Sequence, residues 1–347
     1  MRHPVSRRRT RALAVGLALA AATLLPTGSA GAADQYEWAA LGDSFTAGVF
    51  VGDPVPPLGD PSQDGCARTS ESYPNLVERE LAQSSLGKKV RLTNVACSSA
   101  VIANIAKVKQ TPISPVETPP GGWPAVDTQI ERAGLDADTD VVTIAIGGNS
   151  LPFGDIFPKC LELGAADKSC REYFTNPPAG VESVRERLNR VQNEYTEMLA
   201  DVHRAAPNAK VITIGYPAIM PNDATACDRG SLTELGTTTH ADIDWMRDDV
   251  LKPLNKRIQR AAASFGDRFV NLYSSSEDNN VCEPEGVKWM EGICGDAADY
   301  WPATFPGTDV DCAPLGKRAT MIHPNAAGHA NTAIHVERAV RHALGQH

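Results

Sequence analysis

Asp140-Val141-Val142-Thr143-Ile144-Ala145-Ile146 runs straight into Gly147-Gly148-Asn149-Ser150. The run is continuous in β-branched and apolar residues, as a strand covered on both faces must be. A strand of that kind belongs to a parallel sheet between helices. On its N-terminal side, Gln35–Leu41 is apolar-rich and reads as a first strand, and Lys89–Val95 alternates and reads as a second. On its C-terminal side, Ala209–Gly215 and Arg268–Leu272 read as a fourth and a fifth. Between them the spacing predicts helices over Tyr73–Leu86, Val126–Leu135 and Val181–Ala205. Leu232–Phe265 reads as helix interrupted by Pro253, and His323-Pro324-Asn325 opens a last helix over Ala326–Leu344. Asp53–Asp64 and the proline-rich Thr111–Pro124 read as surface loops, and Cys160–Cys170 as a bracketed insertion. Strand and helix alternate about five times without an internal repeat. That predicts a three-layer α/β/α (flavodoxin-like) sandwich with a central five-stranded parallel sheet and right-handed crossovers. No linker divides it, so residues 33–347 are expected to be a single domain.

The first 32 residues read as an export signal: a head with Arg2, Arg7, Arg8, Arg9 and Arg11, an apolar run Ala12–Leu25, and Ala30-Gly31-Ala32. Cleavage is expected after Ala32; the general secretory and twin-arginine routes both stay open. The signal takes five of the 33 basic residues and none of the 42 acidic ones. The exported chain is therefore more acidic than the formal −9 of the whole. That balance argues against nucleic acid and against attraction to anionic membranes. No other run is long enough to cross a bilayer, so stable membrane insertion is not expected. All eight cysteines lie beyond the signal. An even number in an exported chain predicts four disulfides, and without a Cys-x-x-Cys pair a structural zinc site is not expected.

Four polar residues follow predicted strands or open the last helix: Ser44 in Gly42-Asp43-Ser44-Phe45-Thr46-Ala47-Gly48, Ser99 after Ala96-Cys97-Ser98, Asn149, and His323. Strand ends in open parallel sheets are where sites are built. Acyl transfer needs a nucleophile, a base, donors for an oxyanion and a group that orients the base. Ser44 suits the nucleophile and His323 the base, since imidazole titrates near neutrality. The main-chain N–H groups of Ser44 and Ser99 and the Asn149 side-chain amide suit the oxyanion hole. The other histidines read as surface or helix-face residues. Trp123, Trp245, Trp289 and Trp301 read as packing, and Asp43 as a carboxylate bonding nearby N–H groups rather than a metal ligand. There is no Gly-x-Ser-x-Gly elbow, no phosphate loop and no His-Glu-x-x-His.

These blocks resemble the SGNH (GDSL-type) family of serine esterases and lipases, and in particular its exported actinobacterial branch. Gly42-Asp43-Ser44-Phe45 is similar to the family's first block, Gly147-Gly148-Asn149-Ser150 to its Gly-x-Asn-Asp block, and Thr320-Met321-Ile322-His323 to its Asp-x-x-His block. The set, in order, spans nearly all of the mature chain. The resemblance implies a secreted lipase, esterase or phospholipase A1 that cleaves fatty-acyl esters through an acyl-enzyme on Ser44, with no cofactor and no metal, expected as a monomer. A carbohydrate acetylesterase is the alternative within the class. A non-catalytic binding module on an esterase scaffold is the alternative outside it. It is motivated by two departures: Ser99 stands where the family has glycine, and Thr320 where it has the acid. If the Ser99 position needs a positive φ, serine there carries strain. Members that lack the acid use a main-chain carbonyl, so a carbonyl of Thr320, Met321 or Ile322 is expected to hold His323, with Asp309 and Asp311 as the alternative. The resemblance also implies the pairs Cys66–Cys97, Cys160–Cys170 and Cys227–Cys282, leaving Cys294–Cys312 as an extra clip.

Overall fold

The computed structural model describes residues 35–83, 88–305 and 307–345, besides Met1. The export signal and its cleavage point lie outside that range, Met1 aside. Five strands form one parallel sheet: β1 (Gln35–Gly42), β2 (Lys89–Asn94), β3 (Val141–Ala145), β4 (Lys210–Ile214) and β5 (Arg268–Val270), in the order β2-β1-β3-β4-β5. Each lies where the sequence placed it, within two residues. A small antiparallel pair, β6 (Cys294–Gly295) and β7 (Arg318–Ala319), stands apart.

Helices cover both faces. Ala39, Leu41, Val142, Ile144 and Val211 belong to the core shared with Leu188, Val191, Tyr195 and Leu199 of the Val184–Ala205 helix and with Leu254 and Ile258 of the Lys252–Phe265 helix. Trp38, Ala40, Val141, Ala145, Ile212 and Ile214 turn the other way, toward Tyr73, Val77 and Leu81 and toward Val336, Ala339 and Val340. Burying each large aliphatic side chain contributes about 1.5–3 kcal/mol, so this period-two division specifies the register. A polar pair in the sheet, Trp38 Nε1–H to Thr143 Oγ1 at 3.0 Å, satisfies itself across the β1–β3 boundary.

Local signals set the helix ends. Ser183 and Glu186 form a reciprocal capping box that starts the Val184–Ala205 helix. Pro207 lies just beyond its last turn, where a helix cannot easily continue.

Three sequence expectations need correction. Residues 232–239 are turn rather than helix, and the helix that begins at His240 passes through a π-turn at Met246–Leu251 before Lys252–Phe265. Pro253 does not interrupt it. It sits in the first turn of the last segment, where its missing N–H costs least. The Cys160–Cys170 stretch is not a bare insertion, because Cys160 lies on the buried face of the Phe153–Ala165 helix and Cys170 starts the Cys170–Thr175 helix. Ile156, Phe157, Cys160 and Gly164 are buried at helical spacing there, a period that Pro158 and the two glycines obscure in the sequence. The Tyr73 helix ends at Ala82 with Gln83 as its C-cap, and residues 84–87 of the expected span lie outside the described residues.

The strand order reverses at β1, since the chain lays β2 on one side of it and β3 on the other. In such sheets the carboxyl ends of the strands flanking the reversal open a crevice. The segments after β1, β2, β3 and β4 therefore meet at one edge.

Candidate active site

Ser44 opens a four-residue helix, Ser44–Ala47, immediately after β1. Asp43 caps it by accepting the Phe45 N–H at 3.0 Å. Gly48 ends it at φ 73°, a left-handed conformation that suits glycine. Gly42 has to be glycine for a different reason. A Cβ there would lie 2.2 Å from Thr46 Oγ1 and 2.5 Å from the Ala145 carbonyl. The turn is pinned from below by Gln129, which is buried. Its side chain accepts from Gly42 N–H and donates to Gly42 O, both at 2.8 Å.

The segment after β2 approaches from one side. Cys97 N–H bonds to Gly42 O, Ser98 N–H to Cys66 O, and Cys66 is joined to Cys97. Ser99 follows at φ 62°, the left-handed region in which a serine carries strain. Asn149 arrives at the end of β3, and its Nδ2 donates to the Ala100 carbonyl at 3.0 Å, which leaves its second amide hydrogen for the cavity. Ser44, Ser99 and Asn149 line the same cavity. The main-chain N–H groups of Ser44 and Ser99 donate to no described residue.

His323 comes from the opposite end of the chain. Its Nε2 lies 2.8 Å from Ser44 Oγ, and its Nδ1 donates to the Thr320 carbonyl at 2.9 Å. The second bond fixes the tautomer, so Nε2 is the acceptor and the serine hydroxyl donates to it. Burial pushes the imidazole below its usual pKa of 6.5, while the Thr320 and Met321 carbonyls pull it back up. Asp309 and Asp311 are exposed and do not reach the ring; Asp311 caps the Ala313 N–H instead. The loop that presents the imidazole turns sharply, with Met321 at φ 49° and Ile322 at φ 60°. Its backbone is stitched to the segment before β6 by Thr320 N–H and Met321 N–H to Ile293 O and Ile322 N–H to Gly292 O. Beneath it Glu291, buried and paired with the buried Lys288 at 3.0 Å, accepts from Asn325 Nδ2 at 2.8 Å.

Four features at or near the site were not singled out in the sequence: Gln129, Tyr216, the Lys288–Glu291 pair and the place of His329. Gly215-Tyr216 repeats the strand-to-turn signal seen at Gly42 and Gly147, and that signal could have drawn attention to Tyr216. Nothing local marks the others. His329, expected as a surface or helix-face residue, lies on the inner face of the last helix, buried, and accepts the Tyr73 N–H through Nδ1 at 3.2 Å. Trp301 joins the cavity wall, with Nε1–H on the Ala319 carbonyl at 2.9 Å; Trp289 is not part of it.

The cavity measures about 220 Å³. Its wall is overwhelmingly apolar, with Phe45, Phe153, Phe157, Ile219, Leu251 and Leu254 among its residues. Ile219, Leu251 and Leu254 are almost inaccessible and lie deep, whereas Ile113 is half exposed at the mouth. All four cysteine pairs are bonded: Cys66–Cys97, Cys160–Cys170, Cys227–Cys282 and Cys294–Cys312. Among the described residues one grouping has metal-ligand spacing, Cys227, Glu234 and Cys282, but its two sulfurs are joined to each other. No described helix is long and apolar enough to cross a membrane.

A family model described as the GDSL-like lipase/acylhydrolase family matches residues 40–330. An esterase of Streptomyces scabiei is 31% identical over 304 residues, which covers 81% of this chain and 82% of that protein. Lipase 2 of Streptomyces coelicolor is 28% identical over 93% of this chain and 91% of its own length. The crystal structure of phospholipase A1 from Streptomyces albidoflavus NA297 is similar in fold, with a TM-score of 0.52 at 19% identity, over 89% of this chain and 99% of that one.

Proposed function

This chain belongs to the GDSL-like lipase/acylhydrolase family, and on that premise we propose that it is an exported serine hydrolase of fatty-acyl carboxylic esters. Ser44 Oγ attacks the ester carbonyl as His323 Nε2 takes its proton. The Thr320 carbonyl holds the imidazolium that results. The tetrahedral oxyanion is received by the N–H groups of Ser44 and Ser99 and by Asn149 Nδ2, donors that need no reorganisation when charge develops. His323 returns the proton to the leaving alcohol, and water attacks the acyl-enzyme by the same route in reverse.

The observation that carries this reading is the apolar cavity opening onto the 2.8 Å Ser44–His323 contact. Each methylene buried there contributes about 0.8 kcal/mol, so an acyl chain is a better occupant than an acetylated sugar, which would ask for a polar cleft. Export is supported by the basic and apolar leader and by eight cysteines all engaged in disulfides. The acidic balance argues against nucleic acid, and every group of the proposed mechanism comes from one chain.

A p-nitrophenyl ester series from acetate upward tests the reading. kcat/KM is expected to rise with chain length until the cavity is full. A series that peaks at acetate would return the acetylesterase. Ser44→Ala should abolish turnover, and equal rates for wild type and variant would favour the binding module. Asn149→Ala should lower kcat by about 10²–10³; a loss under threefold removes it from the oxyanion hole.

A further inference from the structure

Tyr216 stands at the end of β4 and is almost wholly buried. Its hydroxyl donates to Asp43 Oδ2 at 2.5 Å and accepts the Gly148 N–H at 2.8 Å. The other carboxylate oxygen of Asp43 holds the Phe45 N–H. One hydrogen-bonded chain thus runs from the serine turn, through a carboxylate and a phenol, to the residue before Asn149. The phenol itself is held. Asn255 accepts from Tyr216 N–H at 2.7 Å and donates to Tyr216 O at 2.8 Å, and the Phe45 ring meets the Tyr216 ring edge-on at 5.1 Å. Gly148 packs closely under the hydroxyl; a Cβ there would lie 3.2 Å from it, tight enough that the phenol would have to give by a few tenths of an ångström.

We propose that Tyr216 is a positioning residue for the oxyanion hole, its hydroxyl holding the Asn149 amide in register with the Ser44 turn. This rests on the acyl-enzyme reading above. The hydroxyl does a second thing. Asp43 is buried at the edge of the cavity, and burial pushes its carboxyl up to about 6, against hydrogen bonds from Tyr216 and the Phe45 N–H that pull it down. The titratable groups around it are the phenols Tyr216, Tyr73 and Tyr195, all of them raised and so neutral, and the His323 imidazole, which meets Asp43's chain neighbour Ser44 in the same cavity. Among the described residues no cation is paired with the carboxylate, and the Tyr216 hydroxyl makes its shorter hydrogen bond, 2.5 Å against 3.0 Å for the Phe45 N–H. Only the ionised carboxylate can accept from both the serine turn and the phenol without giving up a lone pair to its own proton.

The sign follows. Two groups bound the acid limb of kcat/KM: His323, which must be neutral to take the serine proton, and Asp43. Removing the hydroxyl lets burial raise Asp43 further, so the carboxylate is lost at a higher pH and the Asp43 part of that limb moves upward. Tyr216→Phe keeps the ring, its packing and the Asn255 clamp. With a short p-nitrophenyl ester the variant is expected to lose about tenfold in kcat, less than the direct loss of a donor. KM should stay within twofold and the acid limb should shift to higher pH. Active sites are counted with a fluorophosphonate so that misfolded enzyme is not scored. Per-site kcat and acid limb both at wild-type values would overturn the proposal. So would a raised KM at unchanged kcat, which would make Tyr216 a wall of the acyl cavity. Ser44→Ala assayed alongside separates the two failures. If it is as active as wild type, the acyl-enzyme reading falls. If it is inactive while Tyr216→Phe is silent, only the role of Tyr216 falls. Independently of turnover, the carboxyl ¹³C signal of Asp43 should titrate higher in Tyr216→Phe, and an unmoved titration overturns the linkage.

Discussion

Thr320 stands three residues before His323, where an acid would give the imidazolium a charged partner. The structure puts the Thr320 main chain there instead, 2.9 Å from Nδ1, and spends the side chain on Gly292 O. A carbonyl dipole orients the ring and fixes its tautomer without adding a buried charge. Asp309→Asn combined with Asp311→Asn is therefore expected to leave kcat within about threefold, since neither carboxylate reaches the ring; collapse of activity would place the missing acid in that loop. Ser99 shows the other departure at work. Its φ of 62° is the conformation that makes glycine the easier residue, so the strain foreseen for a serine is present. Relief of left-handed strain and the greater freedom of glycine in the unfolded chain oppose each other at about 1 kcal/mol each. Ser99→Gly is expected to keep kcat within about twofold and to leave the urea midpoint unchanged or slightly raised, because the proposed donor is main-chain. A large fall in kcat would mean that the serine side chain takes part.

At the scale of elements, the last helix does more than cover the sheet. Its N-cap, Asn325, accepts from the Ala327 and Gly328 N–H groups, so the helix starts directly behind His323. One turn on, His329 accepts the Tyr73 N–H at the start of a second helix, whose own N-cap, Ser72, makes no side-chain capping bond. That bond needs a neutral imidazole, and burial, with a smaller effect from His323, pushes His329 down to about 3. A base whose folded pKa lies below its unfolded value of 6.5 adds stability at neutral pH that is lost as pH falls from 6.5 toward 3. His329→Gln keeps an acceptor but cannot titrate. The thermal midpoint of the variant is expected to depend less on pH between 6.5 and 4 than that of wild type, and parallel curves would show that His329 does not carry this acid sensitivity.

For the molecule as a whole, the crevice depends on loops that the sheet alone does not hold. Cys66–Cys97 closes a loop between residues 31 apart and ties the Asp53–Asp64 region to the Ser99 segment. Cys66→Ser with Cys97→Ser is expected to lower stability by about 2–4 kcal/mol in urea unfolding. kcat should fall more than KM rises, because the Ser99 N–H loses its anchor while the apolar cavity keeps its wall. A loss confined to stability would show that the Ser99 segment is held by its backbone bonds to Gly42 and Cys66 alone.

The five strands, their parallel sense and the candidate residues Ser44, Ser99, Asn149 and His323 were legible in the sequence, because buried parallel strands are written as unbroken apolar runs and the turns after them as short polar blocks. Those signals are local in the chain. What holds the blocks together is not. Gln129 under the serine turn, Tyr216 between Asp43 and Gly148, and His329 on Tyr73 bond partners 68 to 256 residues away, and no spacing rule encodes such pairs. A main-chain carbonyl was expected to hold His323, but which of the Thr320, Met321 and Ile322 carbonyls does so was decided by the fold, since loop geometry decides which oxygen an imidazole meets.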